Sequence, residues 1–120
     1  MKKEQLVRHE FEPVYDKNSE ILILGSFPSV KSREQGFYYG HPQNRFWKVL
    51  AAIVQEKIPD SIEEKKEMLL RNHIAVYDVI WQCKITGSSD SSIKDVVPAD
   101  ITTIVELSKI RKIYANGKLA

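Results

Sequence analysis

Four consecutive large aliphatics, Ile21-Leu22-Ile23-Leu24, followed at once by Gly25, constrain this chain more than any other stretch. Such a run reads as a strand buried on both faces, the kind found in parallel sheets. Gly25 breaks the strand, and Pro28 forbids a simple helical continuation. A loop rich in Ser, Gly and aromatics follows, through Phe37-Tyr38-Tyr39-Gly40. The amphipathic run from Asn44 to Val54 closes the unit. In open α/β sheets ligands bind in the crevice beyond the carboxyl ends of the strands, so this loop is expected to hold the site.

The rest of the chain extends the pattern. With 120 residues there is room for one small domain, so residues 1–120 are expected to form a single unit. Phe11-Glu12-Pro13-Val14-Tyr15 is expected to lie extended, because Pro13 disfavours helix before it. Asp16-Lys17-Asn18-Ser19 is a turn cluster leading into a strand over 20–24. Phe46, Leu50, Ile53 and Val54 share one face of a helix capped by Asn44. Ser61 and Glu64 have capping-box spacing for a helix to about Arg71, with Ile62, Leu69 and Leu70 inward and Asn72 and His73 at its end. A second strand is expected over 74–80, and a hydroxyl-rich loop between Cys83 and Ile93. Asp100 is expected to cap a third helix, and 112–115 to form a third strand. This alternation predicts an α/β domain, a three-layer α/β/α sandwich with a short, mainly parallel central sheet. The strand-turn beginning at Lys112 stops at Ala120, so a missing C-terminal strand is expected too.

Composition excludes several classes. The longest apolar run falls far short of the roughly 20 residues of a membrane helix. The charged N-terminus has no apolar core behind it, which argues against a secretory signal. The single cysteine, Cys83, cannot form an internal disulfide, which fits a reducing, cytoplasmic setting. It cannot supply a thiolate cluster either, and no metal-ligand spacing stands out. A net charge of +2 permits a local basic patch without demanding one.

Several motifs carry chemistry, each beside a plainer reading. Gly25-Ser26-Phe27-Pro28-Ser29 can present backbone N–H groups to an anion or a base edge, or simply connect strand to helix. Phe37, Tyr38 and Tyr39 can stack on a flat ligand or cover the core. Asn44 can cap a helix, or position a water with its oxygen while its amide reads a base. Arg45 suits a phosphate or carboxylate. Ser88 to Ser92 can hold phosphates or form a solvated loop. Asp78 and Asp90 are possible water activators, with a capping role open for Asp78.

Two segments taken together resemble the uracil-DNA glycosylase superfamily. One is Gly25-Ser26-Phe27-Pro28-Ser29; the other is Tyr39-Gly40-His41-Pro42-Gln43-Asn44-Arg45-Phe46-Trp47. With Gly87-Ser88-Ser89-Asp90-Ser91-Ser92, they resemble its hypoxanthine-DNA (deoxyinosine) glycosylase branch. Phe27 stands where the mismatch-specific relatives carry a water-positioning Asn. The resemblance implies a repair enzyme that flips out a deaminated base and hydrolyses its N-glycosidic bond. It implies Asn44 as the main catalytic residue with His41 assisting, and Ser26, Phe27 and Tyr39 against the base. Ser88, Ser89, Ser91 and Arg45 then fall near DNA. No cofactor or metal is implied, and a monomer acting on DNA is expected. The resemblance stops before the family's second motif, which leaves open whether these residues act alone. A non-catalytic nucleotide- or nucleic-acid-binding module, or an inactive fragment, keeps the stacking and phosphate features without the water-positioning group.

Overall fold

The computed structural model describes residues 4–9, 11–25, 36–40, 45–86 and 92–116. Among them lie six strands and three helices in the order β1 (Glu4–Arg8), β2 (Ile21–Gly25), α1 (Phe46–Val54), α2 (Ile62–Arg71), β3 (Ile74–Asp78), β4 (Ile80–Thr86), β5 (Lys94–Pro98), α3 (Ile101–Glu106) and β6 (Lys112–Ala115). The fold is mixed α/β. One sheet, ordered β3-β2-β6, is parallel; the other, ordered β1-β4-β5, is antiparallel.

The aliphatic strand sits at the centre of the parallel sheet. Its register sets Ile21 beside Ile74 and Lys112, and Gly25 beside Asp78. Leu22 and Leu24 are buried, whereas Ile21 and Ile23 on the other face are half-covered. The neighbouring β3, with all five residues buried, is the strand enclosed on both faces. The segment before β2 lies extended as expected: Val14 and Val76 exchange backbone hydrogen bonds of 3.0 and 2.9 Å. The following turn is closed by Ser19 N–H donating to the Asp16 carbonyl, and by Asp16 N–H donating to Ser19 Oγ.

The antiparallel sheet has no local signature in the sequence. The expected strand over 74–80 divides at Val79: β3 belongs to the parallel sheet and β4 to the antiparallel one. Val79 N–H donates to the Gly25 carbonyl, and its own carbonyl accepts from Ala99 N–H. Residues 83–86, expected in a loop, continue β4, and β5 returns beside it with a register shift. β1, in a mixed, polar stretch for which the sequence suggests no element, pairs along β4 from Glu4–Thr86 to Arg8–Gln82. Two cores follow. Cys83, Ile80 and Ile85 form a small one under the antiparallel sheet; the larger lies between the parallel sheet, the helices and the aromatic loop.

The helices correct two expectations. Helix α1 starts at Phe46 with Arg45, not Asn44, in the cap position, and Arg45 makes no side-chain capping bond. Its buried face is Trp47, Leu50 and Ala51, while Ile53 is 71% exposed. Trp47 takes the inward place because its indole N–H donates to the Tyr38 carbonyl, which rotates the helix towards the aromatic loop. In α2 the Ser61 cap forms: its Oγ accepts from Glu64 N–H at 3.1 Å, and Glu64 accepts from Asp60 N–H. Met68 and Leu69 are buried, but Ile62, in the first turn, is 38% exposed; the buried residues of α2 lie in its C-terminal half. Asn72 caps the far end, and His73 follows with φ of 60°. Asp100 caps α3 by accepting from Thr103 N–H.

Leu69→Ala is expected to lower unfolding free energy by about 2–5 kcal/mol, because a fully buried leucine leaves a cavity. Ile62→Ala is expected to cost well under half as much. Urea denaturation of both variants checks the pair, and equal losses would contradict the packing of α2.

Candidate active site

Parallel strands bring their carboxyl ends to one side. Here that side gathers Gly25 from β2, Asp78 from β3 and Asn116 just beyond β6. Asn116 N–H donates to the Leu24 carbonyl at 2.7 Å, so the last turn of β2 is bonded on both flanks. Gly25 has no room for a side chain. A Cβ there would lie 2.5 Å from Asp78 Oδ1 and 3.2 Å from the Tyr39 hydroxyl. The glycine is therefore required by close approach.

The three loop aromatics divide between core and site. Phe37 and Tyr38 are buried. Tyr38 donates its hydroxyl proton to the Glu12 carbonyl, and Phe37 stacks on Trp47. Tyr39 is half-buried and holds a φ of 52°, an uncommon conformation for a non-glycine residue. One face of its ring stacks on Phe46, with centroids 3.9 Å apart, so a flat ligand has only the other face. Its hydroxyl is buried at the end of β2 without a hydrogen-bond partner. Burial pushes this hydroxyl up to about 12; the Asn116 side chain opposes the rise without closing a hydrogen bond of ordinary geometry, and the Asp78 carboxylate adds to it. The Tyr38 hydroxyl is raised further, again first by burial and then by Asp78.

Asp78 faces both sheets. Its Oδ2 lies 2.7 Å from His9 Nε2, and the pair is buried. The other ring nitrogen, Nδ1, lies 2.9 Å from the Phe11 carbonyl oxygen. His9 N–H donates to the Trp81 carbonyl, which fixes the residue at the end of β1 against β4. Phe11, Tyr38 and Tyr77 surround the imidazole with centroids within 5.6 Å.

Of the residues singled out in the sequence, Tyr39 and Arg45 flank Phe46. Arg45 is exposed and lines, with Ile23, Phe46, Val49 and Asn116, a groove of about 380 Å³. Ser26, Phe27, His41, Asn44, Ser88, Ser89, Ser91 and Asp90 lie outside the described residues. His9 and Asn116 carried no signal. A lone histidine after a short polar strand has no pattern, and its partner is 69 residues away. Among the described residues no group of three or more His, Cys, Asp or Glu side chains is gathered, and no helix is long and apolar enough to cross a membrane.

A sequence model of the Uracil DNA glycosylase superfamily matches residues 12–120. The chain belongs to the uracil DNA glycosylase superfamily. Among its relatives is a protein of Methanosarcina acetivorans named hypoxanthine DNA glycosylase, 38% identical over 117 residues, which are 96% of this chain and 74% of that protein. Another, of the same name from Methanosarcina barkeri, is 37% identical over 110 residues, covering 90% of this chain and 70% of its own. The solution NMR structure of a candidate uracil DNA glycosylase from M. acetivorans superposes with a TM-score of 0.84 at 37% identity, over 97% of this chain and 73% of that one. In this superfamily member the matched region contains Gly25, Tyr39, Asp78 and Asn116, whereas His9 precedes it.

The Tyr39 hydroxyl yields a test. It stays protonated in the fold up to about pH 12 and ionises near 10.0 when unfolded, so its burial favours the fold less and less as pH rises through that window. Tyr39→Phe removes both the unpartnered buried hydroxyl and this loss. It is expected to match or exceed the parent in stability at neutral pH, and to lose less above pH 10, in urea titrations across pH.

Proposed function

We propose that this protein is a DNA glycosylase that removes a deaminated base, hypoxanthine foremost, by hydrolysing the N-glycosidic bond. Membership of the uracil DNA glycosylase superfamily over residues 12–120 carries the reading, and two relatives named hypoxanthine DNA glycosylase direct it to that base. The substrate is DNA and the reaction needs no redox step. Residues 1–120 act as one glycosylase-like domain, a monomer in the cytoplasm. Its β3-β2-β6 sheet is the middle layer of a three-layer α/β/α sandwich.

The chemistry assigns work to each candidate. A stacked base cannot be attacked in place, so it is flipped out at a cost of a few kcal/mol. Stacking on the face of Tyr39 away from Phe46 offsets part of that, at about 1–3 kcal/mol per base. Cleavage builds oxocarbenium character at the sugar and negative charge on the departing base. Backbone amides of Ser26 and Phe27 receive the base edge, Asn44 orients the water or the base, and His41 assists electrostatically. A positioned hydrogen-bonding group of this kind is worth about 10²-fold or more in rate. Arg45, Ser88, Ser89 and Ser91 hold the phosphate backbone, a task suited to a guanidinium and to hydroxyls. The half-buried Tyr39 beside the carboxyl end of the parallel sheet, with exposed Arg45 next to it, supports this arrangement.

Asn44→Ala in the full-length protein is expected to bind inosine-containing duplex normally while releasing base at least about 100-fold more slowly. Alkali-labile strand breaks in single-turnover assays measure it. Normal turnover would remove Asn44 from its role. Wild-type binding without any strand made alkali-labile would instead favour a non-catalytic module. Because Phe27 stands in place of the water-positioning Asn of the mismatch-specific relatives, release of uracil is expected to be much slower than release of hypoxanthine. Robust excision of uracil from single-stranded DNA contradicts that preference.

A further inference from the structure

The His9–Asp78 contact joins the two sheets at the point where the candidate site begins. His9 is 8% exposed and Asp78 is 4% exposed. A carbonyl oxygen offers only lone pairs, so His9 Nδ1 is the donor towards Phe11. The 2.7 Å contact between Nε2 and Asp78 Oδ2 then holds one proton, on the ring or on the carboxyl, because two facing lone pairs would repel at that distance. Both ring nitrogens are thus committed and the imidazole cannot turn. The carboxyl group it grips is held in one orientation, with Oδ1 over Gly25. The Tyr39 hydroxyl borders the same Cβ position of Gly25.

We propose that His9 and Asp78 are a positioning pair for base excision: His9 clamps Asp78, and Asp78 fixes the place of Gly25 and Tyr39 at the carboxyl end of the parallel sheet. The proposal rests on the glycosylase reading for its effect on rate, but the clamp itself is a structural statement. Neither residue touches the substrate; both act through the cradle around Gly25. The pair explains why a buried charge-capable contact sits there in place of apolar packing. A hydrogen-bonded carboxyl has a fixed direction, which an aliphatic side chain lacks. It also gives β1 a task in the site, since His9 is carried on the end of that strand.

Two variants of the full chain separate the outcomes. His9→Leu removes both ring hydrogen bonds and frees the carboxyl. Asp78→Asn keeps the atoms beside Gly25, and its amide donates to Nε2 of a neutral ring. The rate of hypoxanthine release per folded molecule, in single turnover well below each melting temperature, is expected to fall about tenfold or more in His9→Leu with DNA affinity unchanged. In Asp78→Asn at least about a third of the rate is expected to remain. Backbone amide resonances of Gly25 and Tyr39 are expected to shift in His9→Leu and to stay close to their parent positions in Asp78→Asn. A lowered melting temperature with an unchanged rate in His9→Leu would make the pair merely structural and overturn the proposal. So would unmoved Gly25 and Tyr39 resonances, or an Asp78→Asn variant that is folded but inactive, which would assign the carboxylate charge itself to catalysis. If the parent protein releases no hypoxanthine, the glycosylase reading fails, and the resonances alone decide for or against the clamp.

Discussion

Parallel pairing of β2 with β3, in the register that sets Gly25 beside Asp78, is the constraint on which the candidate site depends. Side chains alternate faces along a strand, so a slip of one residue would turn Asp78 away from Gly25 and exchange buried Leu22 and Leu24 for half-covered Ile21 and Ile23. All four side chains are aliphatic, so the two faces differ in how closely they are covered and not in polarity. Backbone hydrogen bonds from Val79 and Asn116 then close around the end of β2, and no bulky residue fits at position 25.

From that point the chain passes directly into the second sheet. Val79 is the single residue between β3 and β4, so the carboxyl end of the parallel sheet and the start of the antiparallel one are rigidly coupled. His9 returns across the join from β1 to meet Asp78. Removing one member of such a buried pair generally costs about 3–5 kcal/mol, since the other is left desolvated without a partner. The surrounding rings of Phe11, Tyr38 and Tyr77 exclude water and tie the aromatic loop to the same spot. Tyr39, next along that loop, is left with one face on Phe46 and its hydroxyl beneath the end of β2.

Much of the fold was legible because its signals are local. The aliphatic run, the Asp16–Ser19 turn, the Ser61 and Asp100 caps and the last strand each depend on residues a few positions apart. The remainder depends on contacts between distant segments. β1 has an exposed, polar pattern and is a strand only because β4 lies beside it. β5 is exposed along its whole length and gives no alternation to read. In α1 the expected apolar stripe of Phe46, Leu50, Ile53 and Val54 holds at Leu50, with Phe46 and Val54 half-covered, but Ile53 faces outward and the indole of Trp47, bonded to the Tyr38 carbonyl, takes an inward place. In the site, Tyr39 was legible as a loop aromatic, but nothing local marked His9 as the partner of Asp78.

By itself the sequence determined the class of the fold, the central strand with its terminal glycine, and the motif from Tyr39 to Trp47 that marks the superfamily. Those properties follow from residue type and short spacing, which act before any tertiary contact forms. Only the tertiary structure decided that Phe37 and Tyr38 are core while Tyr39 lies half-buried with its hydroxyl at Gly25, that Asp78 is gripped by His9, and that Gly25 is required by close approach. Each of those is a question of which atoms meet across a long separation in the chain, and burial and close approach answer it only once both sheets are in place.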